Sequence, residues 1–230
     1  MYDPKNNNLL EIFGVCFILG SCITISITSL FYISDKYFPL IVYGIVLQIY
    51  FILEFTNSYL YQTNTVTSKS FLIYGNRGNK EFWFMQLLTI WEYLSVRFIL
   101  KFIPFSPVNY LGFPGLILIT TGLLIRHLAM KKCGLSFSHY LAKTKQAHHK
   151  LVTTGVYKYV RHPSYLGFFL FSIGIQLWLS NYLNLMVDVY ILYQFFTIRI
   201  EHEEKLLIEF YQDDYLKYQQ MTYTLIPFIK

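Results

Sequence analysis

The chain has 230 residues, of which 54% are hydrophobic, 20% aromatic and only 14% charged, and its mean hydropathy is +0.39. Globular domains carry about a quarter charged residues, so this composition argues against a water-soluble domain and for a membrane protein. The formal charge of +6 does not point to nucleic acid, because the basic residues form no single dense tract. They cluster in loops beside apolar segments, where they act as topology signals and membrane-surface contacts.

Six apolar segments meet or approach the ~20 residues that a helix needs to cross a bilayer. They cover roughly 9–33, 39–56, 81–103, 111–131, 163–180 and 183–200. Pro39, Pro104, Pro107, Pro114 and Pro163 mark their ends, where proline costs a helix least. The first run is too long for a cleavable signal peptide and has no clean small-residue cleavage site, so it reads as a retained span. The polar stretch 57–80, with Gly75-Asn76-Arg77-Gly78 as a turn, links the second and third spans. Short links at Asp35-Lys36 and Asn181-Tyr182 make their flanking helices antiparallel neighbours. Cys16, Cys22 and Cys133 form no CxxC pair, so neither a disulfide framework nor a metal site is expected. Cys133 is a candidate for acylation or an inert thiol.

Between residues 126 and 162 there are eight Lys/Arg, no Asp or Glu, and five of the six histidines. The other long loop carries Lys69, Arg77 and Lys80, whereas the short loops offer Lys36 and Lys101. Basic loops favour the cytosolic side, which places both long loops and both termini in the cytosol. Glu54, Glu92, Arg97 and Asp188 lie within or near the ends of spans, where charge is costly and flags function. Glu92 and Arg97 are also candidates to pair or to snorkel to an interface. His127, at the basic end of the fourth span, carries the same two readings.

The stretch YKYVRHPSYLGFF, 157–169, sets an ionisable pair at the mouth of the fifth span. Gly155 permits a tight turn, Pro163 suits a first helical turn, and Ser164 and Tyr165 add polar tips where free backbone N–H groups favour a polar ligand. The sixth span ends on the same side with Arg199, Glu203 and Glu204. A helical hairpin therefore brings Arg161, His162, Arg199 and Glu203 together. The grouping reads either as a ligand site or as a basic flank beside a salt-bridged helix end. The tail, 200–230, begins acidic (Glu201, Glu203, Glu204, Glu209, Asp213, Asp214) and repeats Leu206, Leu207, Phe210, Tyr215 and Tyr218 at helical spacing. It reads as a cap on the basic loop or as an interfacial helix held by lipid.

Four stretches give the chain a resemblance to the isoprenylcysteine carboxyl methyltransferases over about 134–230. They are SFSH (136–139), HKLVTTGVYKYVRHPSYLG (149–167), FFTIRIEHEEKLLIEFYQDDYLKY (195–218) and IPFI (226–229). The RHPxYxG element alone is shared with wider membrane methyltransferases and some sterol reductases; the four together, in order, are specific. The resemblance implies an all-α integral membrane protein of about six spans. Residues 1–131 form a four-span membrane region, and 132–230 form the catalytic region, with the hairpin 163–200 and the cytosolic tail building the cofactor site.

The implied reaction is S-adenosyl-L-methionine-dependent methylation of the C-terminal carboxylate of a prenylated (farnesyl or geranylgeranyl) cysteine, on small GTPases and other CaaX proteins. The implied location is the endoplasmic reticulum membrane, with the active site facing the cytosol. Carried over by position, His149, Lys150, Leu151, Val152, Tyr157, His162, Tyr165 and Glu203 hold the cofactor, and Arg199 holds the substrate carboxylate. Ala142 stands where animal members tend to have Gln, so no polar side-chain contact to the cofactor is expected there. The alternatives are a phospholipid N-methyltransferase, an NADPH-dependent sterol reductase of related C-terminal design, and a non-enzymatic membrane scaffold or transporter.

Overall fold

The computed structural model describes residues 8–62, 66–76, 78–100, 111–137 and 149–229. Arg77, Lys101, Pro104, Pro107, His139 and Ala142 lie outside the described residues. Seven α-helices form among those described: α1 Leu9–Ser29, α2 Phe38–Tyr61, α3 Asn79–Leu100, α4 Gly112–Cys133, α5 Pro163–Leu179, α6 Tyr182–Tyr211 and α7 Asp213–Met221. The first six occupy the six apolar segments of the sequence. Four candidate spans, Leu9–Ser29, Phe38–Tyr61, Gly112–Ser136 and Tyr182–Tyr211, are both long and apolar enough to cross a membrane. Helix α5 is apolar but has 17 residues, and α3 carries Lys80, Glu81, Glu92 and Arg97 along its length.

The sixth span departs most from the sequence expectation, which ended it at residue 200. The helix continues unbroken to Tyr211 because no Gly or Pro interrupts it, and it stops only at Gln212, whose φ is +47°. Thirty residues at 1.5 Å each make a rod of about 45 Å, against a hydrocarbon core of about 30 Å. The acidic half of α6 is therefore a rigid extension of the span rather than a separate tail helix.

Helices α4 and α5 pack backbone to backbone through two glycine pairs, each spaced seven residues apart on one helix face. A Cβ on Gly122 would lie 2.5 Å from the Gly167 carbonyl oxygen, and one on Gly174 would lie 2.7 Å from that of Gly115. Between lipid-embedded helices, where no hydrophobic drive operates, such close approach is a main source of association. Tyr50 of α2 joins this pair to the rest of the core, its ring 4.9 Å from Phe171 and 6.0 Å from Phe168.

The helix end opposite the RHP turn is closed by polar contacts. Glu92 accepts from the backbone N–H groups of Leu183 and Asn184 at 3.0 and 2.8 Å, placing a carboxylate where the α6 dipole favours it. Arg97 instead lies 5.2 Å from the Tyr93 ring centroid, so the suggested Glu92–Arg97 pairing does not form. Gln176 donates to Asp188 at 2.6 Å and to Thr89 at 3.0 Å. Asp188 is thus a structural carboxylate of this layer. Arg126, counted above among the loop charges, is buried inside α4 and paired with Glu54.

The chain after α7 returns to the segment before α5. Val160 and Tyr223 form an isolated parallel bridge; Arg161 N–H donates to the Tyr223 carbonyl at 3.0 Å. The Arg161 guanidinium reaches the Thr222 carbonyl at 2.9 Å, and the Tyr218 hydroxyl donates to the Tyr157 carbonyl at 2.7 Å. The C-terminal segment thus contacts residues 157–161 directly.

Candidate active site

The site begins with Gly155, whose φ of +67° is open to glycine and strained for other residues. This starts a short 3-10 turn, Gly155–Lys158. Pro163 then opens α5, and a residue preceding proline is held out of the helical region; His162 has φ −124° and ψ 58°. The turn directs Arg161 and His162 inward, where they are 8% and 4% exposed.

Both residues converge on Glu204. Arg161 Nε donates to Glu204 Oε1 at 2.6 Å, and His162 Nε2 lies 3.0 Å from the same oxygen. Gln219 of α7 donates to Oε2 at 2.7 Å. One carboxylate thereby joins the RHP turn, α6 and α7. The neighbouring Glu203, rotated about 100° around the helix, meets a different partner: Tyr165 donates its hydroxyl proton to Glu203 Oε2 at 2.5 Å. Arg199, one turn earlier, donates from Nε to that same Tyr165 oxygen at 2.8 Å. The result is a relay, Arg199 to Tyr165 to Glu203, crossing from α6 to α5 and back. Tyr165 is held in place by stacking, between His162 at 5.6 Å and Phe196 at 5.2 Å.

A cleft lies between this turn, the extended half of α6, α7 and the segment after α4. His149, Lys150, Leu151, Val152, Tyr157, His162, Tyr165 and Glu203 all contribute to its wall. Arg199 is not among the described lining residues; it contacts Tyr165, which is. Within the grouping expected from sequence, His162 contacts Glu204, while Glu203 meets Tyr165.

The opposite wall is Leu206, Leu207, Phe210 and Tyr211 of α6, with Tyr215 and Tyr218 of α7. Sequence reasoning registered most of these only as an amphipathic stripe. Their helical spacing was the available signal, and what they face was not.

The cleft's phenols are kept neutral. Burial pushes Tyr157, Tyr215 and Tyr218 above the usual tyrosine range, so each remains a hydroxyl donor at physiological pH. Tyr218 and Tyr157 spend theirs on carbonyl oxygens, Tyr157 reaching Ala129 at 3.5 Å. The Tyr215 hydroxyl is buried in the cleft wall, 1% of the residue being exposed, and has no hydrogen-bond partner among the described residues. A native buried polar group without a partner calls for an explanation, and a ligand in the cleft supplies one. Cys133 also lines the cleft and is half-buried. Among the described residues no cluster could hold a metal ion.

Fold and cleft together define a multi-pass α-helical membrane protein with a ligand cleft at the end of a helical hairpin, closed over by its own C-terminus. A sequence model of the isoprenylcysteine carboxyl methyltransferase family matches residues 115–209. The protein-S-isoprenylcysteine O-methyltransferase of Saccharomyces cerevisiae is 38% identical over 99% of this chain and 95% of its own. That of Schizosaccharomyces pombe is 34% identical over 80% and 81% respectively. The chain belongs to the isoprenylcysteine carboxyl methyltransferase family. The solved structure of the eukaryotic intramembrane Ras methyltransferase of that family superposes with a TM-score of 0.85 at 29% identity, covering 92% of this chain and 74% of the other.

Proposed function

We propose that this protein transfers the methyl group of S-adenosyl-L-methionine to the C-terminal carboxylate of an S-prenylated cysteine. Family membership supports the reaction. The observation that carries the site assignment is the relay from Arg199 through Tyr165 to Glu203, which couples the cleft to the membrane-proximal turn of α6. In this reading 132–230 carries the chemistry and 1–131 embeds it. The prenylated C-termini of small GTPases and other CaaX proteins are the substrates, and the endoplasmic reticulum membrane is the location. The lysines between residues 131 and 158 support a cytosolic cleft.

The cleft fits such a methyl donor. Glu203 offers a carboxylate to a cationic ligand, Leu206, Phe210 and Tyr211 offer apolar and aromatic walls to a flat base, and the Tyr215 hydroxyl, without a partner among the described residues, offers a donor. When bound, the donor supplies an electrophilic methyl group on a sulfonium. An α-carboxyl group has an unperturbed pKa near ~3.5, so the substrate is already ionised and no general base is needed. One carboxylate oxygen forms a bond to the methyl carbon as the carbon–sulfur bond breaks, and no proton moves. The protein's work is then alignment and exclusion of water.

A carboxylate leaving water requires a partner charge. Arg199, between the cleft and the lipid-facing part of α6, provides a planar fork suited to it. The prenyl chain remains in the bilayer between helices.

The test is to incubate the purified protein in nanodiscs with methyl-labelled S-adenosyl-L-methionine and either a farnesylcysteine analogue or phosphatidylethanolamine. Base-labile label on the prenylcysteine is expected. Label on the amine lipid, or turnover of NADPH with a sterol instead, overturns the assignment.

A further inference from the structure

A charged pair lies inside the bundle, behind the cleft wall. Glu54 of α2 is 1% exposed and Arg126 of α4 is 8% exposed. They meet through two prongs: Arg126 Nε donates to Glu54 Oε1, and Nη2 donates to Oε2 at 2.8 Å. The third arm, Nη1, turns to α5, where it donates to Ser164 Oγ at 2.8 Å and to the Ser164 carbonyl at 3.2 Å. The α5 backbone also packs closely on α4 here, since a Cβ on Gly167 would lie 2.9 Å from the Arg126 backbone nitrogen.

A buried ion pair is a poor device for stability alone. Desolvation offsets its attraction, and an apolar replacement is often neutral or better; charge near a bilayer core is costlier still. An apolar pair, however, cannot deliver a hydrogen-bond donor to a third helix. Arg126 does, and it delivers it to the residue between Pro163 and Tyr165, all three of which line the cleft. Arginine has only donors, so Ser164 Oγ accepts from it and keeps its own proton for another acceptor.

We propose that the Glu54–Arg126 pair is a positioning device for the methyl-donor cleft, through which the N-terminal helices set the first turn of α5. Glu54 aims the guanidinium, the guanidinium anchors Ser164, and Ser164 sets the placement of His162 and Tyr165 on either side of it. The identity of the donor rests on the function proposed above; the positioning does not.

The experiment compares Arg126→Lys, the swap Glu54→Arg with Arg126→Glu, and a control, Thr89→Val, which removes the Gln176 contact at the far end of the bundle. Each is purified in nanodiscs and measured for melting temperature, S-adenosyl-L-methionine Kd, turnover, and hydrogen exchange over residues 157–168. Lysine keeps a charge opposite Glu54 but lacks the planar fork that reaches Ser164 as well. Donor affinity in Arg126→Lys should fall roughly ten- to a hundredfold, with faster exchange at 157–168. The swap should recover melting temperature but not affinity, because its guanidinium starts from α2. Thr89→Val should lose melting temperature with affinity and exchange at 157–168 unchanged.

If affinity tracks melting temperature across all three, or Arg126→Lys binds the donor normally, the positioning role is wrong. If the lysine variant does not fold, the swap decides: recovered stability with normal affinity overturns the proposal. If the wild type itself binds no donor, the methyltransferase reading fails. Hydrogen exchange then judges the positioning role, and unchanged exchange at 157–168 in Arg126→Lys refutes it.

Discussion

Replacing Glu204 with alanine should destabilise the protein far more than an acidic residue on a helix surface usually does. Its carboxylate accepts from Arg161 at 2.6 Å and from Gln219 at 2.7 Å, and lies 3.0 Å from His162. The Arg161 side chain is 5% exposed, that of His162 3%, and that of Glu204 12%. Removal would leave a buried guanidinium whose remaining hydrogen-bond partner among the described residues is the Thr222 carbonyl. Breaking a buried pair from one side costs about 3–5 kcal/mol, and the residual exposure of Glu204 argues for the lower end. The cost should be concentrated where α7 and residues 222–229 dock, so limited proteolysis should release the C-terminus before the bundle opens.

The comparison is Glu201→Ala, an exposed position three residues earlier on α6, expected to lie within about 0.5 kcal/mol of wild type. Equilibrium unfolding in detergent micelles, read by far-ultraviolet circular dichroism and by release of the C-terminal fragment, measures both. If Glu204→Ala matches Glu201→Ala in stability and protease resistance, the three-way latch carries no weight.

Arg199→Lys keeps the charge but loses the fork, so turnover should fall at least tenfold while donor affinity, measured by calorimetry, stays within about threefold. Near-normal turnover would reduce Arg199 to a snorkelling anchor. Tyr215→Phe removes a hydroxyl that has no hydrogen-bond partner among the described residues, so thermal melting without ligand should be unchanged or slightly higher, whereas donor affinity should drop about three- to tenfold. Equal affinity in the two proteins would mean the orphaned hydroxyl serves no ligand. Burial raises the folded-state pKa of Tyr157, Tyr215 and Tyr218. Their contribution to stability is therefore complete below the unfolded phenol value of about 10 and is lost as pH rises beyond it. In a pH series of unfolding curves the triple Phe variant should show a weaker loss above that pH than wild type; an identical loss would contradict the assignment.

What was legible in the sequence was what is local. Apolar length and proline placement located six helices, and Gly155 with Pro163 located the turn at the mouth of α5. The motif around Arg161-His162 gathered the residues that line the cleft. The length of α6 was misjudged because hydropathy falls at Arg199, and hydropathy records surroundings rather than continuity; the backbone stops only where Gln212 breaks it.

Pairing was the other limit. Glu203 and Glu204 are adjacent in sequence, but a helix turns them to different neighbours, so His162 found Glu204 while Tyr165 took Glu203. Glu54 and Arg126 lie 72 residues apart, and no local pattern joins them. The glycine pairs 115/122 and 167/174 matter only because α4 and α5 touch there, which no local pattern states.

In the function proposed above, the methyl donor occupies the cleft between the RHP turn and the α6–α7 wall. A photoreactive S-adenosyl-L-methionine analogue, crosslinked to the purified protein and mapped by peptide sequencing, tests it most directly. Label is expected within 149–165 and 203–218, competed by unlabelled donor, with donor affinity reduced roughly ten- to a hundredfold by His162→Ala or Glu203→Ala. Competable label confined to other segments, or unchanged affinity in both variants, would contradict it.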